Sequence, residues 1–233
     1  MSIAIDIILV LLVAFSAWRG YKNGFIRGIF GLLSIIAAIY GASLAASAFS
    51  SEVTGMIEPF VAGVVDKAST DVLKSGEAKT QDAVIKETDK TDVYKVSFAM
   101  LRDVGVAKSA ASHLAEKVSA EITTVGRQMT DYLTNRLSDA LSYVIVFALA
   151  FLLLTVIFAF VGNIINLAFS IPGVALPDQV IGLILGFAKG VLIVFALAVI
   201  VRYLGILSAG TIEKTTVLKY ILNVNPLSSI LGI

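Results

Sequence analysis

The chain has 233 residues, of which 58% are hydrophobic and 15% charged, and its mean hydropathy is +0.91. Soluble domains carry about 25% charged residues, so this is the composition of a membrane protein. A net charge of +1 provides no basic stripe for nucleic acid, the lack of cysteine removes thiolate and disulfide chemistry, and the single histidine, His113, excludes a multi-histidine metal site.

Residues 3–18 are apolar except for Asp6 and Ser16. No basic residue precedes this run, while Arg19, Lys22 and Arg27 follow it. The pattern predicts an uncleaved first span with its N-terminus outside, because short loops rich in Lys and Arg stay in the cytoplasm. Trp18 and Tyr21 suit the inner interface. Asp6 is an ionisable group within a span, a placement that is costly and often functional. The plainer reading, of equal weight, has it reaching the headgroups or capping the first turn. A second span over 28–50 is rich in small residues, among them Gly31, Ala38, Ala42 and Ala46, which make a close-packing face.

Residues 52–136 hold most of the charge, nearly balanced in sign, with no run long enough to span. Ile57, Phe60, Val64, Ala68 and Val72 recur at three- and four-residue spacing and predict an amphipathic helix, restarted at Pro59. A polar connection over 75–92 follows, then a helix over 93–104 that stops near Gly105. Ala111, Leu114, Val118, Ile122, Val125, Met129, Leu133 and Leu137 form a longer stripe. With Gly126 as its weak point, this helix is expected to run straight into the next membrane segment. Such a stripe usually packs on its own domain rather than on a partner or the bilayer.

The third span covers 141–169, and Pro172, Gly173 and Pro177 break the chain before Asp178, a residue suited to cap the helix that follows. The fourth span runs over 181–203, with Lys189 nearer its inner end, and a short amphipathic helix over 211–222 is expected on the outer surface. The predicted fold is an all-α membrane protein with four transmembrane helices. Its parts are a hairpin at 1–50, an α-helical aqueous insertion at 51–136, a second hairpin at 137–207 and an amphipathic tail at 208–233. Both termini and the insertion then lie on the extracytoplasmic side.

Two stretches share one pattern. Gly20, Gly24 and Gly28 with Phe25 and Arg27, and Gly182, Gly186 and Gly190 with Phe187 and Lys189, both read G-x-x-x-G-F-x-(basic)-G. Glycines at i, i+4 and i+8 share a helical face and let another backbone approach closely. Each glycine costs about 1 kcal/mol against alanine in a helix, so three in register point to compensating packing. The recurrence predicts two parallel hairpin repeats about an axis along the membrane normal. Arg27 and Lys189, at matching places, either line a shared inner vestibule that attracts anions or acidic headgroups, or are ordinary positive-inside anchors. The second reading is favoured. No phosphate-binding loop of the G-x-x-x-x-G-K-[ST] type accompanies the glycines.

Asp6, the Trp18-Arg19-Gly20 turn, Gly24 with Arg27-Gly28, and Pro177-Asp178 with Gly182, Gly186 and Lys189-Gly190 together resemble the colicin V production protein (CvpA) family. Asn225-Pro226-Leu227 and the aqueous insertion are similar to the longer Gram-positive members. The resemblance covers essentially the whole chain. It implies a multi-pass protein of the bacterial inner membrane, required for colicin V production and with related roles in envelope homeostasis. It brings no agreed catalytic residues.

The residues themselves offer little for catalysis. There is no G-x-S-x-G elbow, and Asp6 and Asp178 are expected on opposite sides of the membrane, which precludes a carboxylate dyad. No enzyme activity, cofactor or metal is expected. The leading reading is an accessory protein for toxin production or export, or for envelope homeostasis. A small channel or transporter with a path between the repeats is the alternative. Expected partners are the lipid bilayer, further copies of the chain, and an envelope or export protein docking on 51–136.

Overall fold

The computed structural model describes residues 2–74, 90–122, 127–168, 176–204, 211–212 and 214–224. Its elements are helices: α1 (Ser2–Lys74), α2 (Lys90–Asp103), α3 (Lys108–Glu121), α4 (Arg127–Ala168), α5 (Leu176–Leu204) and α6 (Val217–Val224). Three helices are long and apolar enough to cross a membrane, over Ile3–Val72, Gln128–Gly162 and Asp178–Leu204. The first and second expected spans thus fall within the single element α1, which is broken at Gly24, where φ is 75° and ψ is −175°. Of the polar connection expected over 75–92, residues 75–89 lie outside the described residues, as do the turn with Pro172 and Gly173 and Asn225-Pro226-Leu227. Residues 90–92 already belong to α2, which begins three residues before the expected Val93.

The chain divides into two compact units, the first built from the described parts of Met1–Ala48, Ile145–Ile200 and Lys214–Gly232. Its core uses Ile35, Ala38, Ala42 and Ala46 of α1, Phe147 and Phe151 of α4, and Val194, Ala196, Ala198 and Val199 of α5. The small-residue face expected on the second arm of α1 is therefore an interior face, as its four-residue spacing requires. The outward face is apolar as well: Ile7, Leu11, Leu149, Leu152, Phe160 and Ile184 are all exposed. A surface of this kind matches hydrocarbon rather than water.

The second unit comprises the described parts of Phe49–Val144 and Val201–Glu213. Ala111, Leu114 and Val118 of α3 and Met129, Leu133 and Leu137 of α4 are buried as their stripe predicts. In α1, however, the buried face is Val61, Val65, Ala68 and Val72. Of the expected stripe Ile57 and Val64 are only half-buried and Phe60 is exposed, so the inward face lies about one residue round the helix. The long stripe packs within its own unit. It is nevertheless two helices: α3 ends at Glu121 and Ile122 is extended, with φ −110° and ψ 127°. The break thus precedes Gly126, at a β-branched residue whose helix propensity is poor. Arg136 on α4 reaches back to Glu121 at 3.3 Å and to the Tyr132 hydroxyl at 2.6 Å. Pro59 does not restart a helix either; α1 passes through it. Pro59 is exposed and nothing crowds Gly55 four residues earlier, so water can serve the carbonyl the proline ring leaves unbonded.

Helices α2 and α3 are joined by a tight stop. Gly105 has φ 97°, the Val106 N–H reaches the Leu101 carbonyl at 3.0 Å, and the Gly105 N–H reaches that of Arg102 at 3.1 Å. These are the two bonds of a Schellman motif, which explains why the helix stops at a glycine. The Tyr94 and Ser112 hydroxyls meet at 2.9 Å across the pair.

Candidate functional site

In the first unit the two glycine patterns are pressed against each other. A Cβ on Gly20 would fall against the Gly182 carbonyl and 2.7 Å from the Gly186 Cα; one on Gly182 would lie 2.8 Å from the Gly24 carbonyl carbon. A Cβ on Gly186 would strike the Ser16 carbonyl, and one on Gly190 would lie 3.0 Å from the Val13 Cα. Positions 13, 16, 20 and 24 therefore descend as 190, 186 and 182 do, so the first arm of α1 runs antiparallel to α5. On the second arm Gly28 meets Leu185 and Gly182, and Gly31 meets Lys189. That arm runs the same way as α5. The two arms are thus antiparallel to each other, and Gly24 is the turn between them. Its φ of 75° lies where a side chain is strained, and a Cβ there would also strike the Asp178 carboxylate. The second pattern, although alike in sequence, lies within uninterrupted α5 and makes no turn.

Asp178 sits in the first turn of α5, yet its Oδ1 accepts the Phe25 N–H at 2.8 Å. The cap expected for the following helix is instead a cap on the second arm of α1. Asp6 acts likewise at long range: its carboxylate accepts the N–H groups of Thr216 at 2.7 Å, Val217 at 3.2 Å and Leu218 at 3.1 Å. This caps α6, which begins at Val217 rather than within a helix over 211–222. The helix Asp6 caps is therefore α6 and not its own. Eighteen residues of helix, about 27 Å at 1.5 Å per residue, separate Asp6 from the Gly24 turn beside Asp178. The two carboxylates do not share a site.

Beside the glycine crossing is a cavity of about 320 Å³, bounded by both arms of α1, by α4 and by α5. Arg19, Asn23 and Arg27 line it near the turn, and Lys189, Ser34 and Thr155 line it farther along. The matching basic residues of the two patterns, Arg27 and Lys189, are therefore brought together. Lys189 passes over Gly31, where an added Cβ would be 3.5 Å from Nζ. The Ser34 hydroxyl donates to the Phe30 carbonyl at 2.7 Å, whereas the buried Thr155 Oγ1 has no partner among the described residues. Among the described residues no carboxylate lines the cavity. Its charged lining residues among the described residues are all cationic, and its walls carry donors from several helices at once.

Arg19 was not evident as a site residue, since it reads as one more inner-loop cation. Thr155 is one of the few polar residues within the spans, with Ser34, Ser43 and Asn163, and packing brings it and Ser34 to the cavity. Arg202 is buried in the second unit, with its carbonyl accepting the Ala107 N–H at 3.2 Å and its guanidinium over the Tyr203 ring. Burial there also pushes the His113 imidazole below its ordinary pKa, assisted by the positive charges of Lys117 and Arg202 and opposed by Glu116. No group of three or more His, Asp or Glu among the described residues could hold a metal ion.

No curated protein and no solved structure matches the chain. The family model for the colicin V production protein matches residues 5–72 and 97–226, which take in both glycine patterns and both long-range carboxylate caps. With that coverage, and with helices long and apolar enough to cross a bilayer, the chain is a membrane protein that belongs to the colicin V production protein family.

Proposed function

We propose that the chain is a non-enzymatic, multi-pass protein of the bacterial inner membrane that supports toxin production or export, or envelope homeostasis. The family match across both glycine patterns carries this reading. Four spans are proposed, with the two arms of α1 counted separately. The support is the Gly24 turn together with the opposite directions in which the arms run along α5. The order is then down, up, down, up, as two parallel hairpin repeats require. Arg19, Lys22 and Arg27 flank the turn and favour its placement in the cytoplasm, with both termini and the insertion at 51–136 outside. The insertion is the proposed contact for an envelope or export protein.

Deletion of the gene in a toxin-secreting host tests the reading. Secreted toxin or resistance of the envelope to detergent should fall, and the full chain should restore it while a chain lacking 51–136 should not. Unchanged secretion and unchanged envelope resistance would overturn it. A periplasm-active reporter at Ser75 should be active; silence there would reverse the orientation.

One observation favours a second reading, a small channel or transporter: the cavity is bounded by helices of both hairpins. Solute and ion flux through purified protein in liposomes, reduced in Lys189→Ala, would support it. The absence of flux across a broad panel would remove it.

A further inference from the structure

We propose that the cavity beside the glycine crossing binds a phosphate-bearing anion, with Arg19 and Arg27 engaging it near the Gly24 turn and Lys189 and Thr155 farther in.

Charge is the first argument. Three cationic side chains line about 320 Å³ with no carboxylate among the described lining residues, and the like charges of Arg19 and Lys189 repel each other. Arg27 and Lys189 are half-buried, while Arg19 is exposed at the rim. Half-buried cations without a counter-charge are costly, and an anion between them offsets that cost. Lys22 shows what an ordinary interfacial anchor does in the same region. It is exposed and lies over the Trp18 ring at 4.0 Å. Lys189 instead passes over Gly31, seven residues from the turn, or about 10 Å along the helix.

The donor set is the second argument. Guanidinium groups match tetrahedral oxyanions through paired N–H donors, and an ammonium adds a point charge. Here two guanidiniums, an ammonium and the unpartnered buried Thr155 hydroxyl converge from four helical segments. A carboxylate, with two oxygens in one plane, would leave donors on some of those sides unused.

Size and opening are the third. The volume is at the lower end of ligand cavities, about 300–1,000 Å³, so it accommodates inorganic phosphate or a phospholipid headgroup but not a whole lipid. Phe15 and Phe30 line the cavity and are also 56% and 44% exposed on the apolar outer surface. A lipid could therefore leave its acyl chains on that surface while its phosphate enters.

The test uses the full chain, purified in detergent. Phosphatidylglycerol and phosphatidylcholine are titrated and read by native mass spectrometry, and inorganic phosphate is titrated by calorimetry. Wild type should bind phosphatidylglycerol or phosphate about tenfold more tightly than Lys189→Met or Arg27→Gln, as loss of one charged hydrogen bond requires. Lys189→Arg should retain binding. Phosphatidylglycerol binding alone identifies a lipid headgroup as the source, and phosphate binding alone identifies a free anion; either supports the site. Equal affinities in wild type and variants, equal binding of phosphatidylcholine without any phosphate binding, or no binding would overturn it. Should Lys189→Met fail to fold, as judged by its elution and melting, Arg27→Gln decides the question. The outcome is independent of whether a toxin is exported.

Discussion

Asp178 accepts the backbone N–H of Phe25 across 153 positions of sequence, at 2.8 Å. One carboxylate thereby holds the start of α1's second arm against the start of α5, beside the one backbone conformation in α1 that is not helical. Asp178→Ala should lower stability by about 1 kcal/mol, the usual worth of a helix cap, while Asp178→Asn, which keeps an acceptor, should lose much less. The apparent melting temperature in detergent checks this. Equal melting of wild type and the alanine variant would show that the cap is dispensable.

The glycines make a sharper contrast. Gly20, Gly182 and Gly186 face backbone at distances no Cβ can occupy, whereas Gly55 and Gly63 have nothing within 4 Å. Alanine at any of the first three must push two helices apart, at about 1–3 kcal/mol or more, as overpacking does. Alanine at Gly55 or Gly63 should be neutral or stabilise by up to about 1 kcal/mol through helix propensity alone. Melting of the five single variants side by side provides the comparison, and similar losses at both groups would remove the packing account.

Much of this was legible in the sequence because it rests on local periodicity. The glycine spacing named the residues that cross, and the small-residue run from Ala38 to Ala46 named an interior face. The three- and four-residue stripes of the insertion picked out part of its core, including Val72, Leu114 and Leu133, but missed Val61, Val65 and the buried face of α2. The partners of lone polar groups were not legible. Asp6 pairs with backbone more than 200 residues away, and nothing near Asp6 announces it. Thr155 stands out in the sequence as one of few polar residues within the spans, but its place beside Arg19 and Lys189 follows only from the packing of α4. The extended Ile122 was hidden because a hydrophobic stripe can keep its phase across a break.

Removal of the Asp6 carboxylate should act at the far end of the chain. Three N–H groups at the start of the short helix α6 lose their acceptor in Asp6→Ala. An eight-residue helix has little intrinsic stability, so packing and this cap must hold it. Amide exchange over 217–224 should accelerate about fivefold or more, for a cap worth about 1 kcal/mol. Exchange in α3 should be unaffected. Unchanged exchange over 217–224 would show that packing alone retains α6.

His113 provides a pH signature for the second unit. Burial is the main reason that its folded-state pKa lies below the ordinary 6.5, with Lys117 and Arg202 adding repulsion against a third positive charge and Glu116 opposing them. Its Nδ1 is buried without a partner among the described residues, consistent with a site built for the neutral ring. The unfolded chain therefore takes up the proton first as pH falls. The stabilising contribution is complete above about pH 6.5 and declines as pH drops from there toward the depressed folded value. One proton limits the slope to about 1.4 kcal/mol, or tenfold in the opening equilibrium, per pH unit. Amide exchange of buried Leu114 and Val118, corrected for its intrinsic pH dependence, should show greater opening at pH 5.5 than at pH 7.5. In His113→Gln, which cannot titrate, that difference should shrink. If it persists undiminished, the carboxylates of the insertion, and not the imidazole, set its acid response.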